Sequence, residues 1–205
     1  MESRSQTLKQ IVPLRLLEGV YQLTPGWEKR YFLRTPDGNI LIDTPPGQES
    51  VFSAIEMLGG ASILFITHRD TVGDAWLFRE RLGVRVAMHP DDADFLTGAP
   101  PEIELSDGLY LTPETRVLHA PGHSPGSCAL LLERAPGALF PGDVVIADAE
   151  GRLQLPLEGY SKNPRRARDA VSLLLKYPFD ALLPAHGTPI LQDATARVRE
   201  FVSRH

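Results

Sequence analysis

The sequence is divided by short apolar runs, each of which ends in a turn rich in glycine and proline. Three of these turns carry a side chain able to bind a metal ion, namely His123, Asp143 and His186. Strands fix positions in space and the loops that follow them supply functional side chains. The pattern therefore predicts a sheet-based fold with a metal site at one edge of the strands.

The order of the segments predicts an α/β fold in a single domain spanning residues 1–205. Residues 30–34 and 39–43 are expected to form a hairpin across the turn signal at residues 35–38. Apolar residues at helical spacing predict helices at residues 48–58, 74–82, 90–96, 164–177 and 191–201. Residues 98–108 are predicted to be a loop. Two packed sheets with helices outside satisfy this pattern.

Composition excludes several classes of partner. The 205-residue chain has a formal charge of −5 and no basic run, so we expect a small-molecule substrate and neither nucleic acid nor a membrane as partner. No apolar stretch is long enough to span a bilayer, and the first ten residues lack the apolar core of a signal peptide. A cytoplasmic protein is the expectation. The one cysteine, Cys128, lies in an apolar run and is interpreted as a small buried hydrophobe.

Five motifs occur in the order typical of the metallo-β-lactamase fold superfamily. They are LIDT at residues 41–44, ITH at 66–68, APGHSPGS at 120–127, FPGD at 140–143 and LPAHG at 183–187. The chain resembles this superfamily from residue 19 to residue 191. The resemblance implies a four-layer αββα sandwich of two mixed β-sheets with helices on the outer faces. It also implies metal ions in a cleft at one edge of the sheets.

The central signature of that superfamily, T-H-x-H-x-D-H, is degenerate here. The first histidine is present as His68, but Asp70 occupies the second histidine position, and Val72 and Gly73 occupy the last two positions. If the loop carries two extra residues, Asp74 replaces the aspartate instead. Either alignment loses at least two ligands.

The resemblance assigns metal binding to His68, His123, Asp143 and His186. The first three form a two-histidine, one-carboxylate set that can hold one divalent ion with open positions. Persulfide dioxygenases of the superfamily hold one iron at these positions, and flavodiiron-type members carry a carboxylate where this chain has Asp70. The expected cofactor is one Zn, Fe or Mn ion, or none if the site is degenerate. His186 has the alternative of hydrogen bonding beside the metal.

The general base is left open between two carboxylates. Asp70 and Asp74 are the candidates for activating water, and the alternatives are that Asp70 and Thr71 cap the next helix and that Asp74 is an acid in its first turn. Asp43 matches a position that supports the site through hydrogen bonds. Arg69 is interpreted either as a ligand for an anionic substrate or as an exposed loop residue.

These residues predict a hydrolase that cleaves a small ester, thioester or related substrate with metal-activated water. Two alternatives remain open at this point. One is a degenerate, non-catalytic family member without metal chemistry, and the other is a mononuclear iron dioxygenase of the persulfide dioxygenase kind. The sequence does not indicate the oligomeric state.

Overall fold

Two β-sheets face each other, and each is built from one contiguous part of the chain. The computed structural model describes residues 12–14, 16–24, 26–156 and 164–204, so the first ten residues lie outside the described part. The first sheet holds seven strands in chain order: β1 (Val12–Pro13), β2 (Val20–Gln22), β3 (Tyr31–Leu33), β4 (Ile40–Ile42), β5 (Ile63–Phe65), β6 (Arg85–Met88) and β7 (Ile103–Glu104). Strands β1 to β4 pair antiparallel, whereas β4 to β7 pair parallel.

The second sheet is also mixed. Its strands are β8 (Tyr110–Thr112), β9 (Thr115–His119), β10 (Cys128–Leu132), β11 (Ala138–Phe140) and β14 (Ala181–Leu182), in the order β14-β11-β10-β9-β8. Only the β11–β14 pair is parallel. A separate antiparallel pair is formed by β12 (Ile146–Ala147) and β13 (Leu153–Gln154).

The helices lie on the outer faces of the two sheets. Helices α1 (Glu49–Met57) and α2 (Ala75–Leu82) cover the first sheet, and α3 (Pro164–Leu174) and α4 (Ala194–Arg204) cover the second. Two 3₁₀ turns, Arg69–Thr71 and Pro90–Phe95, follow strands of the first sheet. None of the helices in the described part of the chain has the length and apolar character needed to cross a bilayer.

Three apolar layers hold this arrangement together: one between the sheets, one under α1 and α2, and one under α3 and α4. Between the sheets, Tyr31 and Phe140 pack edge to face with ring centroids 5.4 Å apart. Cys128 is buried in the same layer, as predicted. Under α1 and α2, Phe52 and Phe78 pack at 4.8 Å. The αββα sandwich predicted from the sequence is thus confirmed.

Two local predictions differ from the structure. The segment predicted as a loop contains β7, because Ile103 pairs with Ala87 at the edge of the parallel part of the first sheet. The helix predicted at residues 90–96 is a 3₁₀ turn whose first position is Pro90. The hairpin of residues 30–43 forms as predicted, with Phe32 opposite Leu41.

Candidate metal centre

The two sheets bring their ligand-bearing turns to one edge. Because β4 and β5 are parallel, Asp43 and His68 follow their strands on the same side. Asp143 and His186 follow the parallel strands β11 and β14 in the same way. A hydrogen bond from the Cys128 amide to the Thr67 carbonyl oxygen, 2.8 Å long, joins the sheets next to His68.

His68 is oriented by a buried network of polar groups. Its Nδ1 lies 2.9 Å from the Thr67 hydroxyl, so its Nε2 points towards Asp143, where Oδ2 lies 3.4 Å away. The His68 ring is buried, and Nε2 has no hydrogen-bond partner among the described residues. A histidine fixed through one nitrogen, with the other buried and free, is typical of a metal ligand.

Asp43 holds that network in place. Its carboxylate accepts hydrogen bonds from the Thr67 amide at 2.8 Å and from the Thr71 hydroxyl at 2.6 Å. Its backbone has a φ of +60°, in the left-handed region that aspartate tolerates better than most residues. The supporting role predicted for Asp43 is confirmed. Thr71, considered as a helix cap, instead lies in the 3₁₀ turn against this carboxylate.

The turn that carries His123 is anchored by Asp92, which the sequence analysis did not identify. Asp92 is fully buried and accepts hydrogen bonds from the Gly126 amide at 3.2 Å, the Arg69 amide at 3.1 Å and the Ser124 hydroxyl. One carboxylate thus ties together the turns after β5 and β9. Its place in an acidic segment with exposed neighbours gave no signal that it would be buried.

His123 lies close to His68 and to the carboxylates of Asp70 and Asp143. The two imidazole rings are nearly perpendicular with centroids 4.5 Å apart. Nε2 of His123 lies 3.1 Å from Oδ2 of Asp70 and 3.9 Å from Oδ2 of Asp143. Asp70 is about half exposed, so it stands on the open side of the group.

His186 contacts the other oxygen of Asp143. Its Nδ1 lies 2.6 Å from Oδ1. The turn that carries it is paired with the segment before β3, where the Lys29 amide donates to the Ala185 carbonyl oxygen and the Gly187 amide donates to that of Trp27. This geometry is the hydrogen-bonding alternative left open by the sequence, and the ligand role of His186 stays a prediction.

Burial and ion pairing shift the pKa values of these residues in opposite directions. Burial raises the pKa of Asp143, but the hydrogen bond with His186 and the nearby His68 imidazole outweigh it and hold the pKa well below its usual range. Burial lowers the pKa of His68, and the Asp143 carboxylate more than offsets this, so the pKa is raised. Burial and neighbouring His68 lower the pKa of His123. Asp143 is therefore ionised, as metal binding requires.

The donor set fits one divalent ion. One ligand atom from each of His68, His123 and Asp143 lies within 4.8 Å of the others. Two ligands about 2.1 Å from a tetrahedral ion lie about 3.4 Å apart, close to the separation between His68 and Asp143. Asp70 lies beside these three residues on their exposed side.

A second group of possible ligands is less suitable. His89, Asp91 and His119 also lie within 4.8 Å of one another. The two imidazole rings are stacked 4.2 Å apart at an interplanar angle of 9°, so their in-plane lone pairs do not converge. Nε2 of His119 is also engaged with the Pro125 carbonyl oxygen at 3.0 Å.

The two candidate bases lie in different surroundings. Asp70 contacts His123, whereas Asp74 is an exposed residue at the start of α2 and lies outside the ligand group. Both catalytic assignments stay predictions, and only that of Asp70 has a contact with the site.

Comparison with known proteins bears on the family and the fold of the chain. The family model "Metallo-beta-lactamase superfamily" matches residues 28–204. An uncharacterized protein of Aquifex aeolicus is 29% identical over 136 residues, which are 57% of this chain and 64% of that protein. This chain therefore aligns with less than two thirds of that relative's length.

Solved structures show the same fold at low identity. A β-lactamase from Chitinophaga pinensis has a TM-score of 0.72 at 15% identity, covering 95% of this chain and 90% of its own. The subclass B3 metallo-β-lactamase BJP-1 of Bradyrhizobium japonicum has a TM-score of 0.70 at 16% identity, with the same coverages. A Cronobacter sakazakii metallo-β-lactamase with an HARLDQ motif has a TM-score of 0.69 at 17% identity, covering 97% and 94%. These similarities establish the fold, and the match of the family model establishes membership: the chain belongs to the metallo-β-lactamase superfamily.

Proposed function

We propose that this protein is a metal-dependent hydrolase that cleaves a small ester or thioester. One divalent ion, Zn or else Fe or Mn, is held by His68, His123 and Asp143. The observation that carries the proposal is the approach of both Nε2 atoms to Oδ2 of Asp143, at 3.4 and 3.9 Å. The buried and unpartnered Nε2 of His68 supports it, because such an atom is costly unless a ligand satisfies it.

The residues of the chain have separate tasks in this mechanism. A divalent ion supplies a Lewis acid that polarises a carbonyl oxygen and makes water more acidic. Thr67 and Asp43 keep His68 in one orientation, and His186 holds the second oxygen of Asp143. Asp70, on the open side, accepts a proton from the attacking water.

One exposed aromatic side chain, Trp27, lies beside the group and favours an organic acyl or aryl substituent on the substrate. Trp27 is 52% exposed, and its ring lies 6.3 Å from that of His186. An exposed aromatic side chain next to a polar cleft is a frequent element of small-molecule sites.

Metal analysis tests the proposal. After incubation with zinc, iron(II) or manganese(II) and desalting, we expect about one equivalent of metal and its loss in His123→Ala. The matched control is His119→Ala, which removes a histidine outside the convergent group and should keep the metal. Less than about a tenth of an equivalent with all three metals contradicts the proposal.

Activity and stability measurements separate the proposal from a non-catalytic role. The loaded protein should hydrolyse an aryl ester or thioester, and its melting temperature should rise with metal, with both effects absent in His123→Ala. A melting temperature insensitive to metal and chelator in the parent chain favours the degenerate, non-catalytic alternative.

The same ligand set supports a second candidate, an iron dioxygenase of the persulfide dioxygenase kind. Two histidines and one carboxylate with open positions are typical of non-haem iron oxygenases. The contact of His186 engages Asp143 Oδ1, whereas Oδ2 faces the Nε2 atoms of His68 and His123. Absence of oxygen uptake with a persulfide at full iron loading rejects this candidate.

A further inference from the structure

Arg69 lies beside the candidate metal centre and has no role in the hydrolysis proposed above. It directly follows His68, and its guanidinium carbon lies 4.9 Å from the centre of the Phe95 ring. Its Nε lies 3.8 Å from Oδ1 of Asp70, the carboxylate that contacts His123. The guanidinium therefore stands one side chain away from the ligand group.

The Nε donor of this guanidinium is buried and forms no hydrogen bond among the described residues. Its side chain is only 15% exposed, and its Nε is shielded without a hydrogen-bond partner among the described residues. A guanidinium carries five N–H donors, and leaving such donors shielded and unpaired costs free energy. An acceptor supplied by a ligand removes that cost.

A second arginine in the same protein shows the contrast. Arg81 also stacks on an aromatic ring, that of Phe52, at 4.6 Å. Unlike Arg69, it donates to both oxygens of Glu49, at 3.1 and 3.0 Å. Arg69 differs in that its only carboxylate contact among the described residues is the 3.8 Å ion pair with Asp70, which is too long for a hydrogen bond.

Phe95 adds an apolar surface beside this cation. Its side chain is 52% exposed, and it ends the 3₁₀ turn that Asp92 fixes to the Arg69 amide. A planar cation held against an exposed ring, on a turn anchored by a buried carboxylate, is a preorganised surface for an anion with an apolar stem.

We propose that Arg69 and Phe95 bind the anionic end of the substrate, so that the substrate class is an ester or thioester carrying a carboxylate. The carboxylate pairs with the guanidinium, the carbon chain lies on Phe95, and the acyl carbon reaches the metal centre. This inference rests on the proposed function. The reaction remains hydrolysis, in which water adds to the acyl carbon, the acyl C–O or C–S bond breaks, and the leaving alcohol or thiol takes a proton.

Paired substrates test the inference. With zinc-loaded protein, kcat/KM for phenyl hydrogen succinate should exceed that for phenyl butyrate by about tenfold, the usual effect of a charge-assisted hydrogen bond. Arg69→Gln should remove this preference, measured as the ratio of kcat/KM for the two esters, because any effect of the substitution on Asp70 is common to both substrates. Arg81→Gln, the control for loss of a stacked arginine, should keep the preference. Equal preferences in the parent chain and Arg69→Gln overturn the inference.

A binding measurement separates this inference from the proposed function. Calorimetric titration of zinc-treated protein with benzoate and with benzamide requires no hydrolysis. Benzoate should bind the parent chain about tenfold more tightly than Arg69→Gln, with benzamide unaffected by the substitution. Unchanged benzoate affinity in the variant, or no benzoate binding to the parent chain, overturns the inference, whereas absence of ester hydrolysis alone contradicts only the proposed function. If Arg69→Gln does not fold, Arg69→Lys is used in its place. Lysine keeps the charge but lacks the planar guanidinium, so we expect a smaller loss of benzoate affinity.

Discussion

Replacement of Asp92 by asparagine should destabilise the protein and loosen both turns that carry the ligand histidines. The Asp92 carboxylate accepts three hydrogen bonds, from the Arg69 amide, the Ser124 hydroxyl and the Gly126 amide. Asparagine has nearly the same shape but one acceptor oxygen. If that oxygen keeps the bonds to Arg69 and Ser124, the Gly126 amide faces an NH₂ group.

The expected loss follows from these contacts. A buried donor left without an acceptor costs about 1–3 kcal/mol. The two remaining hydrogen bonds weaken because their acceptor becomes neutral. Part of this loss of stability is offset, since burying a neutral amide costs less free energy than burying a carboxylate. We expect a net loss of about 2 kcal/mol in the free energy of unfolding, which lowers the melting temperature of a chain of this size by about 4–8 °C.

Urea unfolding followed by circular dichroism measures this loss. Asp94→Asn is the matched control, because Asp94 is exposed on the same turn and should change stability by less than about 0.5 kcal/mol. The rise in melting temperature on adding zinc should also be smaller in Asp92→Asn than in the parent chain. If the two variants are equally stable, the reasoning about the anchor is wrong.

Three further substitutions have defined outcomes. Gly187→Ala should cost at least about 3 kcal/mol in chemical unfolding, because an added Cβ overlaps the Ala147 carbonyl oxygen at a φ of +94°. Thr71→Val should cost about 1–3 kcal/mol in the same assay, since it removes the hydroxyl 2.6 Å from Asp43. Because the pKa of Asp143 is held below its usual range, its ionised form stabilises the folded state above about pH 4, and this stability is lost on further acidification. The stability of Asp143→Asn, measured by thermal unfolding against pH, should therefore fall less steeply below that pH.

Controls for these substitutions isolate the stated cause. Gly83 has a φ of +66°, and no atom lies within 4 Å of an added Cβ, so Gly83→Ala should cost only about 1–2 kcal/mol of stability. A loss equal to that of Gly187→Ala would rule out the overlap as the cause. Thr97→Val, at an exposed position, should be nearly neutral. Equal acid sensitivity in the parent chain and Asp143→Asn contradicts the pH argument.

The part of the fold encoded in local patterns was predictable from the sequence. Residues 39–43 were predicted as the second strand of the hairpin, and β4 lies within this segment and is buried throughout. By contrast, β7 has two residues and follows two prolines, Pro100 and Pro101. It becomes a strand only through pairing with β6, which is a long-range contact that no local pattern contains.

The same distinction applies to the site. His123 and Asp143 were identified because each lies in a turn that follows an apolar run, and His68 was assigned from the resemblance of its motif. Asp92 was missed because it is one of several neighbouring aspartates, and only contacts with Ser124 and Gly126, more than thirty positions away, bury it. Whether His186 contacts metal or Asp143 depends on a distance that the sequence does not encode.

The construction of each sheet from one contiguous part of the chain has a consequence for how the site comes into being. The first part, through β7, supplies His68 and Asp70, and the second part, from β8 onward, supplies His123, Asp143 and His186. The convergent set of His68, His123 and Asp143 therefore takes His68 from the first part and the other two ligands from the second. The candidate metal centre therefore lies at the interface between the two parts. An ion bound there would cross-link them, so its affinity would depend on how closely the two parts pack against each other.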